Sequence, residues 1–255
     1  MKISWLFSRK WILITGLVIL GALVCVRLGI WQLDRLAQRR VFNSHVFAVQ
    51  AMPALVLPSN DQLTGMEYRA VHASGAYDFA NQVAIRNQFN GSQYGYHLIT
   101  PLRLSDGEAA LVDRGWIPAD GNSNPANWRK YDIAGTVNVN GVIRLQPTDS
   151  TFDGLINPSL GIVVDPTLTP GQTRLDFWVY VNIGQISQQI PFPILPVYIQ
   201  LNPEPNQTNP PIPIQPQLDL SEGPHQGYAI QWFSFSAILL VGYPLYVRKQ
   251  ENRQR

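Results

Sequence analysis

Two long apolar segments, one near each end, constrain this chain more than anything between them. Residues 11–31 carry a single charge, Arg27, and residues 228–247 carry none. At about 1.5 Å rise per residue, a helix over either segment would cross roughly 30 Å of hydrocarbon. Such a chain is expected to place everything from Gln32 to Gly227 on one side of a membrane and both short tails on the other. The flanking charge says which side. Lys2, Arg9 and Lys10 precede the first span, and Arg248, Lys249, Arg253 and Arg255 follow the second. By the positive-inside rule, both termini are expected in the cytoplasm and the large loop outside the cell membrane. Arg35, Arg39 and Arg40 sit on the outer side, but long loops translocate largely regardless of charge. A cleaved signal peptide is the rival reading of the first segment. Its apolar stretch is longer than the usual core of a signal, and no small-x-small site closes it.

Composition excludes several functions. A net charge of +2, with no basic cluster interleaved with aromatics, argues against a nucleic-acid partner. The single cysteine, Cys25, falls in the first span and rules out an intramolecular disulfide or a cysteine-rich zinc site. The four histidines, His45, His72, His97 and His225, show no metal-ligand spacing. A metal bound here would arrive inside a cofactor. No nucleophile elbow, phosphate loop, dinucleotide fingerprint or zinc-protease motif appears, so the chain reads as a non-enzyme.

The expected organisation is a tail over 1–10, a span over 11–31, a helical extension over 32–47, a β-rich domain over 48–201, a proline-rich arm over 202–224, a second span over 225–247 and a tail over 248–255. Apolar spacing continues past Trp31, predicting one helix from about Trp11 to Val46 that Pro53 and Pro58 end. Short β-branched runs follow at Tyr68–Val71, Ala76–Phe79, Gln82–Arg86, His97–Arg103, Ala109–Arg114 and Thr136–Arg144. Asn90-Gly91 and Asp106-Gly107 read as turns, the latter as a hairpin, and Asn140-Gly141 as a bulge. Leu160–Val164, Phe177–Ile183 and Val197–Leu201 add strands, and Gln185–Ile190 a short helix. The fold class is therefore two transmembrane helices flanking a mainly antiparallel β extracytoplasmic domain, a small barrel or sandwich with a short helix. Pro191–Pro224 holds ten of the chain's twenty prolines, and 202–217 is read as an extended, polyproline-like return to the membrane.

Two groups could carry chemistry. Arg27, Trp31 and Arg35 recur every four residues and share a helix face. They either anchor the helix at the interface or meet an anionic ligand. Pro224 suits a helix first turn, after which His225, Tyr228 and Trp232 share a face. Gln231, placed in hydrocarbon, is expected to face the other helix. A histidine at a helix N-terminus meets the positive end of the dipole, which favours neutral imidazole, the form that binds haem iron. An ordinary interfacial histidine fits the same residues equally well. Both groups lie at one predicted depth, which suits a haem with a long apolar tail. In the domain, Arg114-Gly115-Trp116-Ile117-Pro118 is read as the end of a strand and the start of a loop. Gly115 takes a turn conformation there, and Trp116 either packs over the sheet end or, with Arg114, faces a cofactor or partner.

Taken together, the motifs resemble a known family. They are LGIWQLDR (Leu28–Arg35), Tyr68-Arg69, Gly75-x-Tyr77-Asp78, Gly95-Tyr96-His97, Thr100-Pro101-Leu102, LVDRGWIP (Leu111–Pro118) and GPHQGYAIQWFSF (Gly223–Phe235). Their order, spacing and two-span layout are similar to the Surfeit-locus family of cytochrome c oxidase assembly factors, over nearly the whole chain. The resemblance implies a chaperone that binds haem a transiently and aids its insertion into the oxidase catalytic subunit, with haem A synthase as a second candidate partner. It implies His225 as iron ligand, and it maps the family's first-span pattern onto Leu28, Gly29, Trp31, Gln32 and Arg35. The alternative it leaves open is a scaffold that stabilises an oxidase assembly intermediate without touching haem.

Overall fold

The computed structural model describes residues 8–58, 63, 65–146, 174–215 and 218–253. The chain forms two compact units, one of residues 1–47 with 218–255 and one of residues 48–217.

The first unit is a pair of helices, α1 (Ile12–Gln50) and α3 (His225–Arg253). Both are long and apolar enough to cross a membrane. α1 runs four residues beyond the predicted end at Val46, and Pro53 follows shortly after. Its buried residues fall on two lines of seven-residue period, offset by three or four: Thr15, Ala22, Gly29, Leu36 and Asn43 on one, and Gln32 and Val46, with Trp11 just before the helix, on the next. A mean step of 3.5 keeps one stripe facing an antiparallel partner. The contacts run in opposite order along the two helices. Trp11 Nε1 donates to Glu251 at 2.8 Å, Thr15 meets the Tyr243 hydroxyl at 2.7 Å and Ser236 Oγ donates to the Ala22 carbonyl at 3.2 Å. At the far end Asn43 donates to the Leu220 carbonyl at 2.6 Å. Gly29 admits the Phe233 ring, because a Cβ there would lie 2.8 Å from it. Lipid gives helices no hydrophobic reason to associate, so this close approach and these polar rungs hold the pair, each rung worth roughly 0.6–2 kcal/mol.

The second unit is built on a sheet that is, among the described residues, eight-stranded: β1 (Leu55–Val56), β2 (Ala70–Tyr77), β3 (Val83–Asn90), β4 (Gln93–Arg103), β5 (Ala109–Pro118), β6 (Thr136–Leu145), β7 (Phe177–Trp178) and β8 (Ile194–Leu201). The strand order is β1-β2-β6-β8-β5-β4-β3-β7, and β2 also pairs with β4 at Ala76–Arg103. That extra pairing closes β2, β6, β8, β5 and β4 into a ring, a small barrel. The main ladders are antiparallel, with β5–β8 the longest parallel one. Asp106 Oδ1 accepts from the Glu108 amide in the β4–β5 turn, where Gly107 has φ +91°, so the Asp-Gly hairpin forms as expected.

Several local expectations are corrected. Tyr68–Val71 and Ala76–Phe79 are not two strands, because β2 runs unbroken through Gly75, whose missing Cβ lets the Arg103 backbone approach. Asn140-Gly141 is no bulge: β6 pairs with β2 residue for residue from Thr136 to Val142. A Cβ at Gly141 would lie 2.3 Å from the Gln200 carbonyl, so this glycine serves a close strand approach instead. The strand expected over Phe177–Ile183 stops at Trp178, and the short helix α2 covers Ile183–Ser187 rather than Gln185–Ile190, because Asn182 caps it by accepting from the Gln185 amide. The strand expected at Leu160–Val164 lies outside the described residues.

β4 and β5 are buried on both faces. On one face Val112 and Leu102 join Val71, Ile143, Val197 and Ile199. On the other, Leu111 and Ile99 lie under Ile183, Ile186 and Trp178. Each fully buried aliphatic side chain is worth roughly 1.5–3 kcal/mol. Two-sided burial gives these strands continuous apolar runs instead of alternation.

Candidate functional site

Pro224 stands just before α3, and the Tyr228 amide donates to its carbonyl, setting His225 as the first helical residue. His225 is half-buried, and its Nδ1 lies 2.8 Å from Gln32 Oε1. With a carbonyl oxygen facing it, Nδ1 donates, which leaves the ring's lone pair on Nε2. Among the described residues Nε2 makes no hydrogen bond. Gly223, at φ +66°, lies beside that edge of the ring, where an added Cβ would come within 3.6 Å of Nε2. A clear ring edge and a fixed tautomer are what an imidazole needs to ligate a metal. This donor set fits a haem iron.

Gln32 is 9% exposed and takes its place from the seam of α1, one heptad after Cys25 and one turn after Gly29. The sequence reading named it only as a motif residue. The usable signal was the three-and-four spacing through Thr15, Ala22, Gly29 and Leu36, which puts Gln32 on the inward stripe.

That stripe is not the one Arg27, Trp31 and Arg35 occupy. All three are exposed, Arg35 lying 5.7 Å from the Trp31 ring centre and donating to Gln38. Among the described residues, Gln32 and not this trio hydrogen-bonds His225. On α3, Trp232 is half-buried and edge-on to Phe235, whereas Tyr228 is 48% exposed. Gln231 is exposed as well, which overturns the expectation that it faces the other helix. The inward positions are His225, Ala229 and Trp232, again at steps of four and three. Nearby, Arg40 makes paired hydrogen bonds to Glu222 at 2.7 and 2.9 Å, and Arg39 reaches Asp219 at 3.3 Å.

The Arg114–Pro118 block in the β unit is strand, not loop. β5 continues to Pro118, opposite Gly95, with a bulge at Arg114 where the β4 register shifts. The bulge gives Gly115 φ +114° and brings the Ile212 backbone to 2.3 Å from where a Cβ would be. Trp116, 3% exposed, pairs with Ile212 through both backbone hydrogen bonds, at 2.7 and 2.8 Å. Residues 202–215 of the proline-rich segment are thus fastened to the sheet and belong to the same compact unit. Asp113 holds the bulge from beneath: its Oδ1 accepts from the Gly115 amide at 3.0 Å, and both carboxylate oxygens meet His97 Nδ1 at 2.9–3.0 Å. Burial pulls the His97 pKa down, but the charge and hydrogen bond of Asp113 outweigh it and raise it above the ordinary value. The sequence placed each in a separate motif and gave no sign that they pair, since 16 positions separate them.

Residues 19–237 match the model of the SURF1 family. The chain belongs to that family. Similar proteins include a "SURF1-like protein" of Monosiga brevicollis, 27% identical over 89% of this chain and 84% of its own length. Another "SURF1-like protein", from Rickettsia conorii, is 23% identical over 91% of this chain and 90% of that one. The human "Surfeit locus protein 1" is 25% identical over 82% of this chain and 69% of its own. The family match runs from within α1 to within α3 and so takes in the whole β unit.

Proposed function

We propose that this SURF1-family protein is a non-enzymatic assembly factor for haem–copper cytochrome c oxidase, which takes up haem a as cargo and aids its insertion into the catalytic subunit. The observation that carries this reading is the Gln32–His225 hydrogen bond, which engages Nδ1 and leaves Nε2 without a hydrogen bond among the described residues. His225 would supply the iron ligand. Trp31, Tyr228, Gln231 and Trp232 would offer aromatic and amide surface at the same level, and Arg27 and Arg35 would offer charge to the propionates. Haem a would contribute the redox iron the oxidase requires; this chain only holds and releases it. A single histidine on an open helix edge suits that task, because a carrier must let go. Haem A synthase and the catalytic subunit are the partners expected on either side of the transfer. The β unit is taken to lie outside the cell membrane, with both termini in the cytoplasm.

The test is an absorbance spectrum of the full-length protein purified from cells that make haem a, beside His225→Ala. A haem spectrum lost or shifted in the variant supports the carrier. A colourless wild-type protein that is folded sinks it and leaves the scaffold reading.

A further inference from the structure

Arg114 is a buried cation without a carboxylate partner. It is 3% exposed, with its guanidinium 5.0 Å from the ring centres of both Tyr77 and Phe79. Nη1 donates to Gln82 Oε1 at 3.0 Å, an oxygen that also accepts from Thr100, and Nη2 donates to the Tyr131 carbonyl. Among the described residues no carboxylate lies within ion-pair distance, and the acid that acts on it, Asp132, is itself exposed. Arginine stays protonated in proteins. Neutral acceptors compensate a buried charge less than an anion does.

Arg114 is also among the residues that line a cavity of about 470 Å³ between the end of the barrel and the proline-rich segment. Its lining mixes apolar residues, Val137, Val139, Leu201, Pro211 and Pro213 among them, with amide-bearing Asn138, Asn140, Asn202 and Gln207. Burial pushes the Tyr77 phenol up to about 12 against the pull of Arg114, so it remains an O–H donor in that lining. An apolar cavity with a few convergent polar groups is the usual form of a ligand site. One acid, Glu204, also lines it. It opposes a second negative charge, and so disfavours phosphate and dicarboxylates. Side-chain amides beside an extended strand suit a peptide backbone.

We propose that this cavity binds an apolar peptide by its C-terminal carboxylate, with Arg114 as the counter-ion. The site lies wholly within the β unit and is independent of the haem reading.

The experiment is calorimetric titration of the full-length protein in zwitterionic detergent with acetyl-Val-Leu-Leu as free acid, the same peptide amidated, and inorganic phosphate. The acid is expected to bind ~10-fold or more tighter than the amide, since a charge-assisted contact is lost with the carboxylate. Glu204→Gln, a change at an exposed residue, should tighten the acid about 2–3-fold by removing a like charge. Asn138→Trp, also at an exposed position, should block the cavity without lowering Tm. Arg114→Gln should abolish the preference for acid over amide; if it fails to fold, the other two variants decide. Equal binding of acid and amide, no binding of either, competition by phosphate, or no effect of Glu204→Gln would overturn the proposal.

Discussion

His225 and His97 are both held through Nδ1, one in each unit, by partners of opposite kind. Gln32 offers His225 a neutral oxygen at the edge of a helix pair, and the ring keeps an exposed side. Asp113 offers His97 a charge inside the sheet, and that ring is 9% exposed. A neutral acceptor fixes the ring and its tautomer while adding no charge, which suits a ligand that must bind and release. A buried carboxylate makes an ion pair whose role is to hold backbone, here the bulge that seats Ile212. The same residue type is the proposed binding group in one unit and a fastener in the other.

The largest effect that would break this comparison is on the fastener. Asp113→Ala removes the acceptor of both the imidazole and the Gly115 amide, and should destabilise the β unit by about 3 kcal/mol, read as a fall in its Tm. Unchanged stability would remove the structural role assigned to the pair. Next is the binding histidine. Gln32→Leu should leave Tm close to wild type and weaken haem binding about 10–100-fold, the usual loss when a ligand's hydrogen-bond partner is removed. If haem absorbance titrates identically in wild type and Gln32→Leu, the orienting role fails.

The pH response sharpens the contrast. The folded-state pKa of His97 lies above the unfolded one, so its contribution to stability is complete below about 6.5 and is lost as pH rises through the folded value. Denaturant melts of the β unit should therefore lose stability across that rise, and His97→Gln should flatten the slope. A slope that persists in His97→Gln would assign it elsewhere. The smallest effect is expected for Gly223→Ala, which puts a methyl within 3.6 Å of Nε2. It should weaken haem binding about 2–5-fold, with part of the loss from the left-handed backbone at that position.

The residues legible in the sequence were those whose signal is local. Hydropathy over 11–31 and 228–247 marks the two helices, Asp106-Gly107 marks a hairpin, and Pro224 marks the start of α3, because each acts through its own backbone or immediate neighbours. Gln231 shows where this fails. Its depth argued for an inward partner, but the helix phase set by Ala229 and Ser236 turns it outward. Arg114 to Pro118 fails for another reason: a glycine after an apolar run reads as a turn, while here it lets a distant strand approach.

By itself the sequence determined the two-helix layout, the β character between the helices, and the motifs that mark the SURF1 family. Only the tertiary structure decided that Gln32 meets His225, that Asp113 holds His97, and that Arg114 is buried with no carboxylate in ion-pair distance among the described residues. Those pairings join residues from 16 to 193 positions apart. Propensity and periodicity act over a few residues, so contacts at such separations exist only once the sheet has closed and the two helices have met.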